Sequence, residues 1–147
     1  MKIKVAWIGK AREAAIQSLT DEYLKRISRY AEVEGVAVKD ESGILELASG
    51  SRSHKEKCKL VLLDSRGKEL SSEELAAMLD RERVNSRPLL FAVGGSDGFS
   101  EAARRDAGLV LSLGKMTLPH ELARVVLVEQ IYRAFTILTK HPYHLGH

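Results

Sequence analysis

Three stretches of this chain carry residues capable of chemistry: GGSDG at 94–98, SLGKMTLPHELARVV at 112–126 and the tail HPYHLGH at 141–147. GGSDG follows an apolar run, as a nucleotide-binding turn would, but it lacks the G-x-G-x-x-G spacing and lies late in the chain, which argues against a dinucleotide site. The other reading is backbone punctuation, since glycine allows turns that other residues resist. Gly108 with Gly114-Lys115 approximates a phosphate loop, yet the glycines are one residue too far apart and Met116 stands where a magnesium-binding hydroxyl is needed. His141, His144 and His147 recur every third position, but Pro142 breaks a helix there and no carboxylate or thiolate joins them, so no metal site is expected. A nucleophile elbow is absent, and hydrolysis has no support. What stays unexplained is the long polar junction from Gly114 to His120, where two or three turn residues would be enough.

The elements that must position these stretches follow from periodicity. KIKVAWIG at 2–9 alternates as a strand, and 11–30 carries the helical stripe Ala15, Leu19, Tyr23, Leu24, Ile27 and Tyr30. VEGVAVKD at 33–40 predicts a second strand, followed by a loop with a short helix around 43–48. KLVLLD from 59 is a strand buried on both faces that ends at the polar turn SRGK. Ser71 to Glu74 is a capping box for the helix LAAMLDRER. LLFAVGG at 89–95 and LVLSLG at 109–114 are further buried strands, with Ser100 capping the helix EAARRDAG between them. Pro119 suits a first helical turn, and Val128, Ile131, Phe135 and Leu138 mark a long last helix. Apolar runs alternating with helices predict an α/β protein with a mostly parallel sheet and helices on both faces. Ligands of such sheets bind at the carboxyl ends of strands, here Leu63-Asp64, Gly94-Gly95 and Leu113-Gly114.

The 147 residues suit a single domain, 1–147, and 44% hydrophobic with 29% charged residues is the balance of a folded protein. The net charge of +3 is a weak pointer to a polyanion. Arg52, Lys55, Lys57 and Lys59 form either a solvated run or a nucleic-acid contact. One cysteine, Cys58, excludes an intrachain disulfide or thiolate zinc cluster and suits a reducing compartment. With no signal-peptide pattern and no membrane-length apolar run, a cytoplasmic location away from membranes is expected.

FAVGGSDGFS, LSLGKMTLPHELARVVLVEQIYRAFTI and the terminal HPYH together resemble the small SPOUT-class methyltransferases of the RlmH type. The resemblance runs from MKIKVAWIGK to HPYH, with a divergent segment at about 40–58. It implies an S-adenosyl-L-methionine-dependent enzyme that methylates N3 of a pseudouridine in bacterial 23S rRNA. It also implies a homodimer and a C-terminal trefoil knot, which general topology rules would not suggest. Matched motif by motif, the cofactor pocket comprises Leu63, Gly94, Leu113, Gly114, Lys115, Met116, Thr117 and Leu118. The long junction is then a cofactor wall: glycines let the main chain approach, and Leu63, Leu113, Met116 and Leu118 give apolar sides.

Within that reading, N3 of a uracil-type base must lose a proton, and His120 and Arg124 are the candidate catalytic residues, His120 as a base or as a structural helix-start residue. Arg124 and Arg133 either bind RNA phosphate or an anionic base, or are solvated at the surface or paired with Glu121 or Glu129. Tyr143 and His144 either contact a flipped nucleotide or pack the tail, and the extra Leu145-Gly146-His147 leaves its placement open. Val125 to Val128 offer apolar surface all round the last helix, suited to core and partner alike. The low charge favours an assembled ribosome over naked RNA as the partner. The alternatives are a SPOUT enzyme for another RNA such as tRNA, and a non-enzymatic ribosome-binding protein.

Overall fold

A computed structural model describes residues 1–50 and 57–145. Arg52 and Lys55 of the basic run, and Gly146 and His147 of the tail, lie outside the described residues. Five strands, β1 (Lys2–Ile8), β2 (Glu32–Val38), β3 (Lys59–Glu69), β4 (Leu89–Val93) and β5 (Leu109–Ser112), form one sheet in the order β2-β1-β4-β3-β5. Every pairing is parallel. The helices are α1 (Ala14–Ile27), α2 (Glu41–Ser49), α3 (Ser72–Val84), α4 (Glu101–Asp106) and α5 (His120–Leu138), with a final 3-10 turn at Pro142–His144.

The period of two along each strand sorts the core into two layers. Ile3, Val5, Trp7, Val61, Leu89, Phe91, Val93 and Leu111 face one side, where α1, α3 and α5 pack. Ala6, Leu60, Leu62, Leu90 and Ala92 face the other, under α2 and α4. Both faces of β4 are therefore buried, which is why its sequence is an unbroken apolar run.

The caps are where the side chains require them. Ser71 accepts from the Glu74 amide while the Glu74 carboxylate accepts from the Ser71 amide, closing the capping box of α3. Ser100 caps α4 through the Ala103 amide, and its own amide and hydroxyl donate to Glu41 of α2, tying the two helices of that face together. Asp40 caps α2 by accepting from the Gly43 amide. That cap shortens the second strand and lengthens the following helix relative to expectation, since Asp40 competes better as a helix cap than as a strand residue.

SRGK is a further departure. It is not a turn after a finished strand: Asp64 to Gly67 bulge out, and the chain returns to β5 at Lys68 and Glu69, so that Leu63 and Lys68 both pair with Leu111. At Gly67 the chain lies against β5 so closely that a Cβ would come within 2.6 Å of the Val110 carbonyl oxygen. The sequence pattern sees four polar residues and reads a turn; backbone proximity, which has no sequence period, decides otherwise. The last helix also differs. Leu127 and Val128 are fully buried within the chain's own core, not available to a partner, and Val125 and Val126 are half-buried.

Candidate functional site

The carboxyl ends of β3, β4 and β5 meet at a cleft of ≈ 320 Å³. The bulge after Leu63 forms one wall, the GGSDG turn after Val93 the second, and the junction after Ser112 the third. Of the eight sequence-derived cofactor residues, Leu63, Gly94, Leu113, Gly114, Met116, Thr117 and Leu118 line it, whereas Lys115 is exposed and does not. Ser112 pins the third wall: its hydroxyl donates to the Gly114 carbonyl at 2.9 Å and accepts from the Gly114 amide at 3.2 Å. Gly114 itself has φ +141°, a conformation that side-chain-bearing residues rarely adopt, and no protein atom stands within 4 Å of where its Cβ would be. Here, then, is the physical content of the long junction: bare main chain at Gly114 borders the space beside the side-chain-bearing Leu113, Met116, Thr117 and Leu118.

The motif-matched residues leave out the polar half of the cleft, of which the strand-end rule names only Asp64. Asp64 and Arg66 line it, with the Arg66 amide and guanidinium donating to the Asp64 carboxylate at 2.8 and 3.1 Å. Burial pushes the Asp64 carboxyl up, but the Arg66 hydrogen bonds and the charges of Arg66 and Arg104 outweigh it and hold the group below its ordinary range. Arg104 stands 3.8 Å from the same carboxylate and also donates to the Phe99 carbonyl at 2.7 Å. Reading SRGK at 65–68 as a turn hides Arg66, whereas Asp64, an acidic group directly after a buried strand, is legible at the strand end.

His120 opens α5 at the cleft mouth, exposed to solvent. Arg124 is not on the surface: it is 1% exposed, its guanidinium carbon lies 4.4 Å over the Trp7 ring, and neither Nε nor Nη1 has a hydrogen-bond partner. Arg133, Tyr143 and His144 form a separate cluster. Arg133 donates to Glu129 at 2.9 Å and to His144 Nδ1 at 3.0 Å, and the Tyr143 hydroxyl donates to Glu129 at 2.7 Å. Burial and the bond to Glu129 raise the Tyr143 hydroxyl above its usual range. Thirteen positions of helix separate Arg133 from His120, about 20 Å at the helical rise. One chain therefore does not bring its own tail to its own cleft. Of the six large apolar side chains left exposed among the described residues, Met116 at 85%, Leu122 at 46% and Leu118 at 38% are near the cleft, while Leu19, Val84 and Leu145 are exposed away from it.

The cleft suits a ligand such as S-adenosylmethionine: its size is that of a small-molecule site, Leu63, Val93, Leu113 and Leu118 supply apolar sides, and glycine backbone at 94–98 and 114 supplies bare main chain. No helix among the described residues is long and apolar enough to cross a membrane, and no three potential metal ligands cluster among them.

Parallel α/β fold and strand-end cleft together define a protein that carries a small ligand on the loops following its central strands. The sequence matches the family model described as predicted SPOUT methyltransferase over residues 1–144. A relative from Koribacter versatilis named Ribosomal RNA large subunit methyltransferase H is 54% identical, covering 100% of both chains. One of the same name from Geobacter sulfurreducens is 44% identical over 98% of this chain and 99% of its own. The fold resembles that of the SpoU methyltransferase AviRb from Streptomyces viridochromogenes, with TM-score 0.57 and 14% identity; this chain covers 61% of that one, and 95% of this chain is covered. A probable methylase family protein from Haemophilus influenzae gives TM-score 0.55 at 14% identity, covering 98% of this chain and 70% of that one. The chain belongs to the SPOUT methyltransferase family.

Proposed function

We propose that this chain transfers a methyl group from S-adenosylmethionine to N3 of a pseudouridine in large-subunit rRNA, as a cytoplasmic homodimer acting on the assembled ribosome. The observation that carries the reading is the convergence of 63–66, 93–98 and 112–118 on one cleft. Full-length similarity to relatives named as large-subunit rRNA methyltransferases supports the substrate class.

When bound, the cofactor would supply an already activated methyl on a sulfonium. Leu63, Val93, Leu113 and Leu118 would hold its apolar parts, and the main chain at Gly94 and Gly114 its polar edges. What the chain adds is alignment of the acceptor and exclusion of water, both within reach of a concave site with a pinned wall. His120, at the mouth, would meet the incoming base or take its N3 proton through solvent, a role its position among the lining residues supports.

Exposed Met116, Leu118 and Leu122 beside the cleft support a dimer seated there, replacing the apolar face first expected at 125–128. If Tyr143 and His144 contact the target, they do so at the partner subunit's cleft, since their own lies about 20 Å away along α5. The C-terminal knot belongs to the same reading, supported by β4 inserting between β1 and β3 while β5 lies beyond β3. Low net charge supports a ribosome-shaped partner.

The test is methyl incorporation into ribosomes from a strain lacking this protein, followed by mapping of the modified nucleoside. Expected is one N3-methylated pseudouridine in 23S rRNA, with a free stem-loop modified far more slowly. Incorporation into tRNA, or equal rates on the free stem-loop, overturns the reading.

A further inference from the structure

Arg124 is the largest fully buried side chain among the described residues, and a cation there needs a reason. Removing a guanidinium from water is costly unless carboxylates or carbonyls take its protons. Here Nε and Nη1 are buried and unpartnered, and the Trp7 ring at 4.4 Å returns only part of the cost. The one carboxylate felt from its own helix, Glu121, accepts instead from the Arg12 amide at 2.6 Å. An arginine locked to a carboxylate is electrostatically quiet a few ångströms away; this one keeps its field.

That field is aimed. His120, Ala123 and Arg124 share a face of α5, spaced i, i+3 and i+4, and the first two line the cleft. Helical side chains lean toward the helix N-terminus, which for Arg124 means toward His120. From the other side, Trp7 pairs with Val93, a residue of the cleft wall. The guanidinium thus sits behind the wall formed by Val93 and Ala123, with no hydrogen-bonded counter-ion between. α5 adds to it: its N-terminus also faces the cleft and has no side-chain cap.

We infer that Arg124 is a positioning residue whose uncompensated charge, acting through the cleft wall, favours the N3-deprotonated form of the target base. This rests on the methyltransferase reading above. The base loses its N3 proton to water, and the resulting anion is the nucleophile toward the methyl group. The other charged groups facing the cleft do not duplicate this role. Asp64 on β3 balances one of the two guanidiniums beside it, Arg66 and Arg104 of α4, and the remaining positive charge is shared with the largely exposed Arg66, where solvent and salt screen it. Asp97 after β4 is exposed and opposes the effect, as does Glu121 on α5; His120 is exposed, Lys115 lies off the cleft, and Arg12 contributes its amide.

The experiment measures single-turnover methylation of ribosomes from the deletion strain across pH 6–9, with S-adenosylmethionine affinity by calorimetry and Tm of each variant. For R124M the expected result is a loss of about 10- to 100-fold at pH 7 that narrows as pH rises, because an opposite charge shifts a pKa by about 1–3 units. Affinity for S-adenosylmethionine should stay within about threefold, and Tm should hold or rise, since a buried unpaired charge is removed. R124K should restore most of the low-pH rate. E121Q keeps an acceptor for the Arg12 amide but removes the opposing charge, so its profile should move the other way, to lower pH. A profile for R124M parallel to wild type overturns the inference, as does weakened cofactor affinity with an unmoved profile. Should R124M not fold, an unmoved E121Q profile overturns it alone. No incorporation by the wild-type chain would overturn the activity and this inference together, and is read separately from any variant.

Discussion

Arg133 donates to Nδ1 of His144 across 3.0 Å, and this contact fixes the imidazole as an acceptor on that side. The proton is left on Nε2, which faces the Glu73 carboxylate at 2.7 Å. One ring thereby joins the tail to both α5 and α3. Arg133 also lies 4.9 Å over the Tyr143 ring, which meets Tyr132 edge-on at 4.8 Å. The tail is docked by a polar chain over an aromatic base.

H144A should release the tail without unfolding the domain. It removes two part-exposed polar contacts, each worth about 0.5–1.5 kcal/mol, and none of the core. Hydrogen exchange at 141–145 should rise well above wild type while Tm falls by only a few degrees. A large Tm loss, or unchanged exchange, would show that the docking resides in Tyr143 instead.

Asp64 gives a pH dependence with a definite sign. Its carboxyl is held below the ordinary range in the folded chain, so the folded state favours the ionised form. That stability is fully present above the unfolded value of about 3.9 and is lost as pH falls through the folded value. D64N should therefore lower the denaturation midpoint at pH 6, with the gap to wild type closing below pH 4. A constant gap from pH 2 to pH 6 would remove Asp64 from the acid limb.

Gly114 is where local conformation and ligand space coincide. At φ +141° an alanine is strained, with a typical cost of about 1–3 kcal/mol, although no protein atom blocks its Cβ. G114A should fold with a modestly lower Tm and bind S-adenosylmethionine at least tenfold more weakly by calorimetry. Full affinity would mean that the Ser112-pinned main chain does not form the wall.

The sequence disclosed what has a period or a cap. The apolar runs of β3 and β4, the Ser71-Glu74 box and the Ser100 cap appear as read, because burial on two faces and unpaired amides each leave a local signature, whereas β5, expected to be buried, is an edge strand with Leu109 and Val110 only half-buried. The strand-end rule then located the cleft, and seven of its eight motif-derived residues line it. Apart from the β2–α2 boundary, set locally by the Asp40 cap, the main misses come from contact between segments distant in sequence. Arg124 is instructive because a signal existed: it falls four before Val128 on the buried face of α5, where a charged residue contradicts the stripe. The break in the pattern pointed inward; charge alone suggested the surface.

Gly67 offers the sharpest test of the unforeseen part of the fold. An added Cβ would stand 2.6 Å from the Val110 oxygen, 2.7 Å from its carbonyl carbon and 2.8 Å from the Leu111 carbonyl carbon, all backbone atoms that cannot swing aside. Either β5 shifts or the Asp64–Gly67 bulge lifts away, and both carry cleft walls with them. Overpacking of this kind typically costs about 1–3 kcal/mol. G67A should lower the unfolding free energy by that amount, seen as a lower urea midpoint, and weaken S-adenosylmethionine binding in step, because the same backbone contact sets both. S65A, altering an exposed residue of the same bulge, should leave the midpoint unchanged. If G67A kept wild-type stability and affinity, the return of β3 to β5 at Lys68 would not be the contact that closes this side of the cleft.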